Sequence, residues 1–207
     1  MNAVIEIGRL LRASTAGCII GCRVDQAHTP GFGSMVRIPV ASNGQPDQQI
    51  YGLVYDIHVD DDGLVRQLVT ANPVRPEVIE DNRINRNVPL EISVLFTGHE
   101  DSGAIRHLLP PRPPLTLDAI YLCNPTDLCA FTSAGRFGYF RHILRAADLP
   151  VGELLAAHLR ETARAQAAQG NPNWVRSATA ELITLLRDDY ATLMAVLGAL
   201  ADADLGL

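Results

Sequence analysis

The sequence predicts a small, closed or nearly closed β-barrel of six strands followed by a C-terminal helical hairpin. Three observations lead there. Up to about residue 132, short runs rich in β-branched and aromatic residues are separated by Gly- and Pro-bearing turns. From about residue 148 the apolar spacing becomes helical. The 207 residues, 47% hydrophobic and 19% charged, can bury a sizeable aliphatic core without disulfide staples. The expected division is residues 1–145 for the barrel and 146–207 for the hairpin.

In chain order, IEIGRLLRA (5–13) and GCIIGCRV (17–24) are joined by a hairpin-length connection. MVRIPV (35–40) follows the turn Thr29 to Gly33, and IYGLVYDIHV (50–59) follows Asn43 to Pro46. Asp60-Asp61-Asp62-Gly63 reads as a hairpin turn, with LVRQLV (64–69) as the returning strand. PLEISVLFTG (89–98) and DAIYLC (118–123) complete the set. Residues 73–87 lack alternation and leave room for a short helix. The proline run at 110–114 cannot donate to a central ladder and is expected to cross the barrel surface.

Asp148, Pro150 and Glu153 mark a helix start, and the segment runs to Gly170. Asn171-Pro172 then reads as N-cap and first residue of a second helix. In it Ala178, Leu182, Leu185, Leu186, Leu193, Val196, Leu197 and Leu200 recur three or four residues apart. Two helices alone bury little, so this stripe packs on the barrel or on another subunit. Leu182, Leu186, Leu193 and Leu197 are the candidate interface residues.

All 17 basic residues are arginine, which removes every mechanism that needs a lysine ammonium. The formal charge is −6, and residues 1–147 carry 13 arginines against 15 acids. That is not the basic excess of an autonomous nucleic-acid binder. The first residues, MNAVIEIGRLLRAS, have no signal-peptide pattern, and no window approaches a membrane span, so a cytoplasmic protein is expected.

Candidate chemistry is sparse. Cys18 and Cys22 lie in an apparent strand, which separates them by about 13 Å, and the C-x3-C and C-x5-C spacings are not zinc knuckles. Buried reduced thiols are expected, with no metal and no cofactor. A calcium loop counted from Gly63 would begin at His58 and end at Val69, so both anchors fail. Gly31-Phe32-Gly33-Ser34 is not a nucleophile elbow, and no histidine stands in H-E-x-x-H spacing. A Cys22–His28 pair lacks the electropositive setting that activates a thiol. Arg75, Arg83 and Arg86 lie among Glu77, Glu80 and Asp81, which suits a solvated protein-contact surface better than a phosphate site. The segment Gly135 to His142 interleaves arginines and aromatics. Arg136, Tyr139 and Arg141 are therefore candidates for nucleic-acid binding, the alternative being aromatics that plug the barrel's open end.

The strand motifs, in order, resemble the HAS-barrel, the N-terminal module of HerA-type DNA-translocating ATPases, related to the N-terminal barrel of ATP synthase α and β subunits. IGRLLRAS (7–14) resembles its opening strand, GFGSMVRIPV (31–40) the glycine-led strand that carries the chain into the barrel, and IYGLVYDI (50–57) its Y-G-x-V strand. VPLEISVLFTG (88–98) is similar to a later strand, and PPRPPLTLDAIYLCNPTDLCAFT (110–132) to the closing segment. The likeness covers about residues 3–145, with FRHILRAADLPVGELLAAHL (140–159) resembling the run into the ATPase core. There it stops: LRETARAQAAQG (159–170) stands where a Gly-rich phosphate loop would be needed. The resemblance implies a non-catalytic adaptor or assembly protein. It would dock a separately encoded HerA-like ATPase or a nuclease in DNA processing, or form a homo-oligomeric ring.

Overall fold

A computed structural model of the chain describes residues 4–22, 30–42, 45–59, 63–71, 73–84 and 89–205. Its strands are β1 (Glu6–Ala13), β2 (Gly17–Cys22), β3 (Met35–Ser42), β4 (Gln45–His58), β5 (Leu90–Asp101), β6 (Ala104–Arg106) and β7 (Ala119–Leu122). Its helices are α1 (Leu64–Thr70), α2 (Pro76–Ile84), α3 (Pro125–Ser133), α4 (Phe140–Leu144), α5 (Val151–Ala168), α6 (Trp174–Leu185) and α7 (Tyr190–Asp202).

Six antiparallel strands close a barrel. Going round, β1 pairs with β2, β2 with β5, β5 with β4, β4 with β3, β3 with β7, and β7 returns to β1. Closure leaves no free edge within this ring. The short β6 folds back on the end of β5. Alternation fills the interior: Cys18, Ile20 and Cys22 of β2 point inward with Leu90, Ile92 and Val94 of β5, beside Ile7, Leu10, Val36, Ile38 and Ile50. On β3 and β4 the other face is buried too. Met35, Tyr51 and Leu53 pack outward into a second core made with the helices. That explains the near-continuous apolar run IYGLVY, which is the pattern of a strand covered on both faces.

The second core centres on α5, which packs against α3, α6 and α7. Leu154, Leu155 and Leu159 of α5 meet Leu128 and Phe131 of α3, Trp174, Ala178 and Leu182 of α6, and Val196 and Leu200 of α7. Because barrel residues 35, 51 and 53 share this core, the helices past residue 146 are packed on the barrel.

Several expectations are corrected. Residues 64–69 form helix α1, not a strand, since β4 already pairs on both sides and leaves no vacant edge. Their apolar positions 64, 65, 68 and 69 also fit a helix better than a period of two. The C-terminal part has three helices rather than a hairpin. Its second expected helix is interrupted where Asp189 caps α7, accepting from the Thr192 amide at 3.1 Å and hydroxyl at 2.7 Å. Asn171 does not cap α6. It closes α5 instead, its amide donating to the Gln166 carbonyl and its side chain to Gln166 Oε1, so α6 starts at Trp174. Asn124 is a true N-cap, accepting from Thr126 and Asp127 ahead of Pro125, and it opens the unforeseen α3. The short helix expected within 73–87 is α2. Asp60 to Asp62, His28, Asn43, Gly44 and Arg86 lie outside the described residues.

One backbone approach fixes the barrel to α5. Gly33 has φ +84°, and a Cβ there would fall 2.6 Å from the Ala157 Cβ and 2.9 Å from the His158 nitrogen. Gly33→Ala should therefore destabilise the fold by roughly 2 kcal/mol, through strain and overpacking together. Gly31→Ala is the control, since its Cβ would meet nothing nearer than 3.9 Å. Urea unfolding of the two variants checks this: equal midpoints would mean that the turn is not held on α5.

Candidate functional site

The segment Gly135 to His142 is where the sequence concentrates arginines and aromatics, and the structure turns most of it inward. Tyr139 is fully buried, its hydroxyl 3.1 Å from Nε2 of His158, which is also fully buried on α5. Around them Tyr51, His107, Phe131 and Phe140 stack ring against ring at centroid distances of 4.6 to 5.5 Å. Arg141 is half-buried and donates from Nη2 to the His107 carbonyl, which His142 Nε2 also approaches at 3.1 Å. Of the three nucleic-acid candidates only Arg136 is exposed. A buried tyrosine offers no face to a base, and Arg141 is committed to the backbone, so the three do not form a stacking platform. Nor do the aromatics plug an open barrel end. They pack on its outer wall at Tyr51.

Arg136 stands out because Gly135, Arg136 and Phe137 all have positive φ, at 57°, 48° and 56°. For the two non-glycines this conformation costs about 1–2 kcal/mol each. Packing offsets it: Phe137 stacks on Phe140 at 5.5 Å and meets Trp174 edge-on at 5.6 Å. Gly135 lies so close to the His107 ring that a Cβ would sit 2.9 Å from Nδ1.

The four candidate interface leucines divide. Leu182 and Leu186 are buried in the chain's own second core, while Leu193 and Leu197 are half-buried against it. Most of the stripe that sequence periodicity picks out therefore faces the protein itself, while Leu185 is left 45% exposed. The opposite face of α7 is the one left to solvent. Tyr190 is 73% exposed and Met194 49%, with Ala191, Ala195 and Gly198 exposed beside them. No charged residue occurs from Tyr190 to Ala201. A groove of about 580 Å³ runs between α7 and α5 past Ala157, Ala195 and Gly198, with Glu153, Arg160 and Asp202 on its rim. Periodicity alone could not find this face, because α7 is apolar all round. A second exposed apolar strip lies at Leu115 and Leu117, where Leu117 is held at φ 71° by its amide donating to the Leu10 carbonyl.

None of the four cysteines is in a disulfide and all are buried, and burial pushes the Cys18 thiol up to about 12 and the Cys123 and Cys129 thiols upward. A raised pKa is the reverse of what activates these three as thiolates. Among the described residues no three His, Cys, Asp or Glu side chains gather as a metal site, and no helix is long and apolar enough to cross a membrane. Arg75 and residues 76–81 of α2 are exposed, with Glu77 in the first turn. No protein-family model matches the chain, and no curated protein matches it.

Burial holds the His158 imidazole neutral, pushing its pKa down to about 4, with the Gly33 backbone opposing only in part. His107 and His142 are lowered by burial as well. A histidine whose folded pKa lies below its unfolded value near 6.5 contributes stability that is present above about pH 6.5 and lost as pH falls towards 4. For His158 this amounts to roughly 3 kcal/mol. Thermal melts should show the loss across that window, and His158→Gln, less stable at pH 7, should show a shallower one. An unchanged slope in the variant would exclude His158 as its source.

Proposed function

We propose that this chain is a non-catalytic docking and assembly module, a barrel-plus-helix unit that joins a larger complex through the outer face of α7. The observation that carries this is the twelve-residue run Tyr190 to Ala201, which has no charge and only one side facing the protein's own core. A helix apolar on every side is normally covered on every side. Large exposed apolar patches of this kind mark interaction sites.

The resemblance to the HAS-barrel supplies the partner class, a separately encoded HerA-like ring ATPase or a nuclease acting with it in DNA processing. The closed six-stranded barrel is the architecture that such a resemblance requires. The stretch from Leu159 to Ala168, which departs from a phosphate loop, is continuous helix within α5. The chain would then contribute a surface and leave nucleotide hydrolysis to its partner.

Light scattering after size exclusion tests this, with the chain alone and mixed with a HerA-type ATPase of the same genome. The expected result is a discrete oligomer or a defined complex. Met194→Glu combined with Gly198→Glu should abolish it, because a charge there must lose its water on docking. Gly198 has open space around it, so the change should leave the melting temperature within a few degrees of wild type. A wild-type chain that stays monomeric in both samples would overturn the proposal.

A further inference from the structure

A cleft of about 570 Å³ opens between the turn Gly31–Ser34, the start of α3 and one side of α5. Its wall is apolar, formed by Phe32, Leu128, Ala157 and Ala165. Its rim carries Arg160 and Arg164, exposed and one helical turn apart on α5. Neither arginine is ion-paired with a described residue. The nearby acid at the head of α3 is already taken, since Asp127 pairs with Arg37 at 3.0 Å. The only carboxyl in the lining is Glu161, which burial pushes towards its neutral form, with a hydrogen bond from Ser34 opposing. The wall is also preformed, because Gly33 seats the turn directly against Ala157.

Two unneutralised guanidiniums above an apolar wall suit a ligand with one charged end. We infer that this cleft binds an amphipathic organic anion, with its acidic head between Arg160 and Arg164 and its apolar body against Phe32 and Leu128. The volume falls within the usual range for small-molecule sites. Burial pushes the Cys123 thiol in the lining upward, so it stays protonated there. This inference does not depend on the docking role of α7; Arg160 also stands at the rim of the α5–α7 groove, so Arg164→Gln and Phe32→Ala, which lie outside that groove, are the variants that test the cleft alone.

The test is a fluorescence titration of the full chain with 8-anilinonaphthalene-1-sulfonate, an aromatic anion of suitable size, with octanoate and inorganic phosphate as competitors. Saturable binding at one site per chain is expected, displaced by octanoate at concentrations where phosphate has no effect. Arg160→Gln with Arg164→Gln should weaken binding at least about tenfold, the loss of charge-assisted hydrogen bonds. Phe32→Ala should weaken it independently of those arginines. Arg187→Gln, on an exposed arginine between α6 and α7, should leave it unchanged. Non-saturable binding, an unchanged affinity in the double variant, or displacement by phosphate as readily as by octanoate would each overturn the inference.

Discussion

The contact between Tyr139 and His158 is the point on which the helical half of the molecule is organised. Both groups are fully buried, and each is the other's polar partner at 3.1 Å. An unpaired buried hydroxyl or imidazole costs about 1–3 kcal/mol, so the pair can form only if α5 arrives in one place relative to the segment before α4. Around it the rings of His107, just past β6, Phe131 of α3 and Phe140 of α4 close in. Burial raises the Tyr139 phenol well above its ordinary range and depresses His158, so both stay neutral. The core can therefore hold polar atoms without burying charge.

Barrel closure and helix packing reinforce each other through β3 and β4. One set of side chains, including Val36, Ile38 and Ile50, fills the barrel. The alternate set, including Met35, Tyr51 and Leu53, is the floor on which the helices lie. A one-residue slip of either strand would exchange the two sets, so each core fixes the register that the other requires. Bulges in the β4–β5 pairing at Tyr51/Gly52 and Val54/Asp56 let this long strand bend around the barrel while serving both cores.

What was legible in the sequence follows from which signals are local. Alternation in GCIIGC and PLEISV gave β2 and β5 almost residue by residue, and Gly and Pro marked most boundaries. The strand expected at 64–69 failed because whether an edge is vacant is a property of the whole sheet. Asn-Pro occurs twice with opposite outcomes. At 124 the side chain is free to cap, whereas at 171 it is drawn back by Gln166, a buried glutamine whose Nε2 also donates to Thr132 and Ser133. No local pattern distinguishes the two. The site was less legible than the fold. Interleaved arginines and aromatics describe a nucleic-acid strand and a buried seam equally well, and only burial separates them. Likewise the leucine stripe located an apolar face on α6 and α7, but the apolar face left exposed is the other side of α7, where Ala, Gly and Met carry little signal.

The lysine-free composition takes on structural meaning in the ties between layers. Arg37 pairs through Nε with Asp127 of α3, donates from Nη1 to Gln49 of β4 at 3.0 Å, and lies over the Tyr121 ring of β7 at 5.5 Å. One planar guanidinium thus joins three strands and a helix, by an ion pair, a hydrogen bond and a ring contact at once. Arg141 does the same on a smaller scale at the His107 carbonyl. In both cases the guanidinium is committed to internal partners. Arg160 and Arg164 differ in that their elements are already held by apolar packing of Leu154, Leu155 and Leu159. Their charge is not needed to hold the fold together, so it remains available to a molecule from outside.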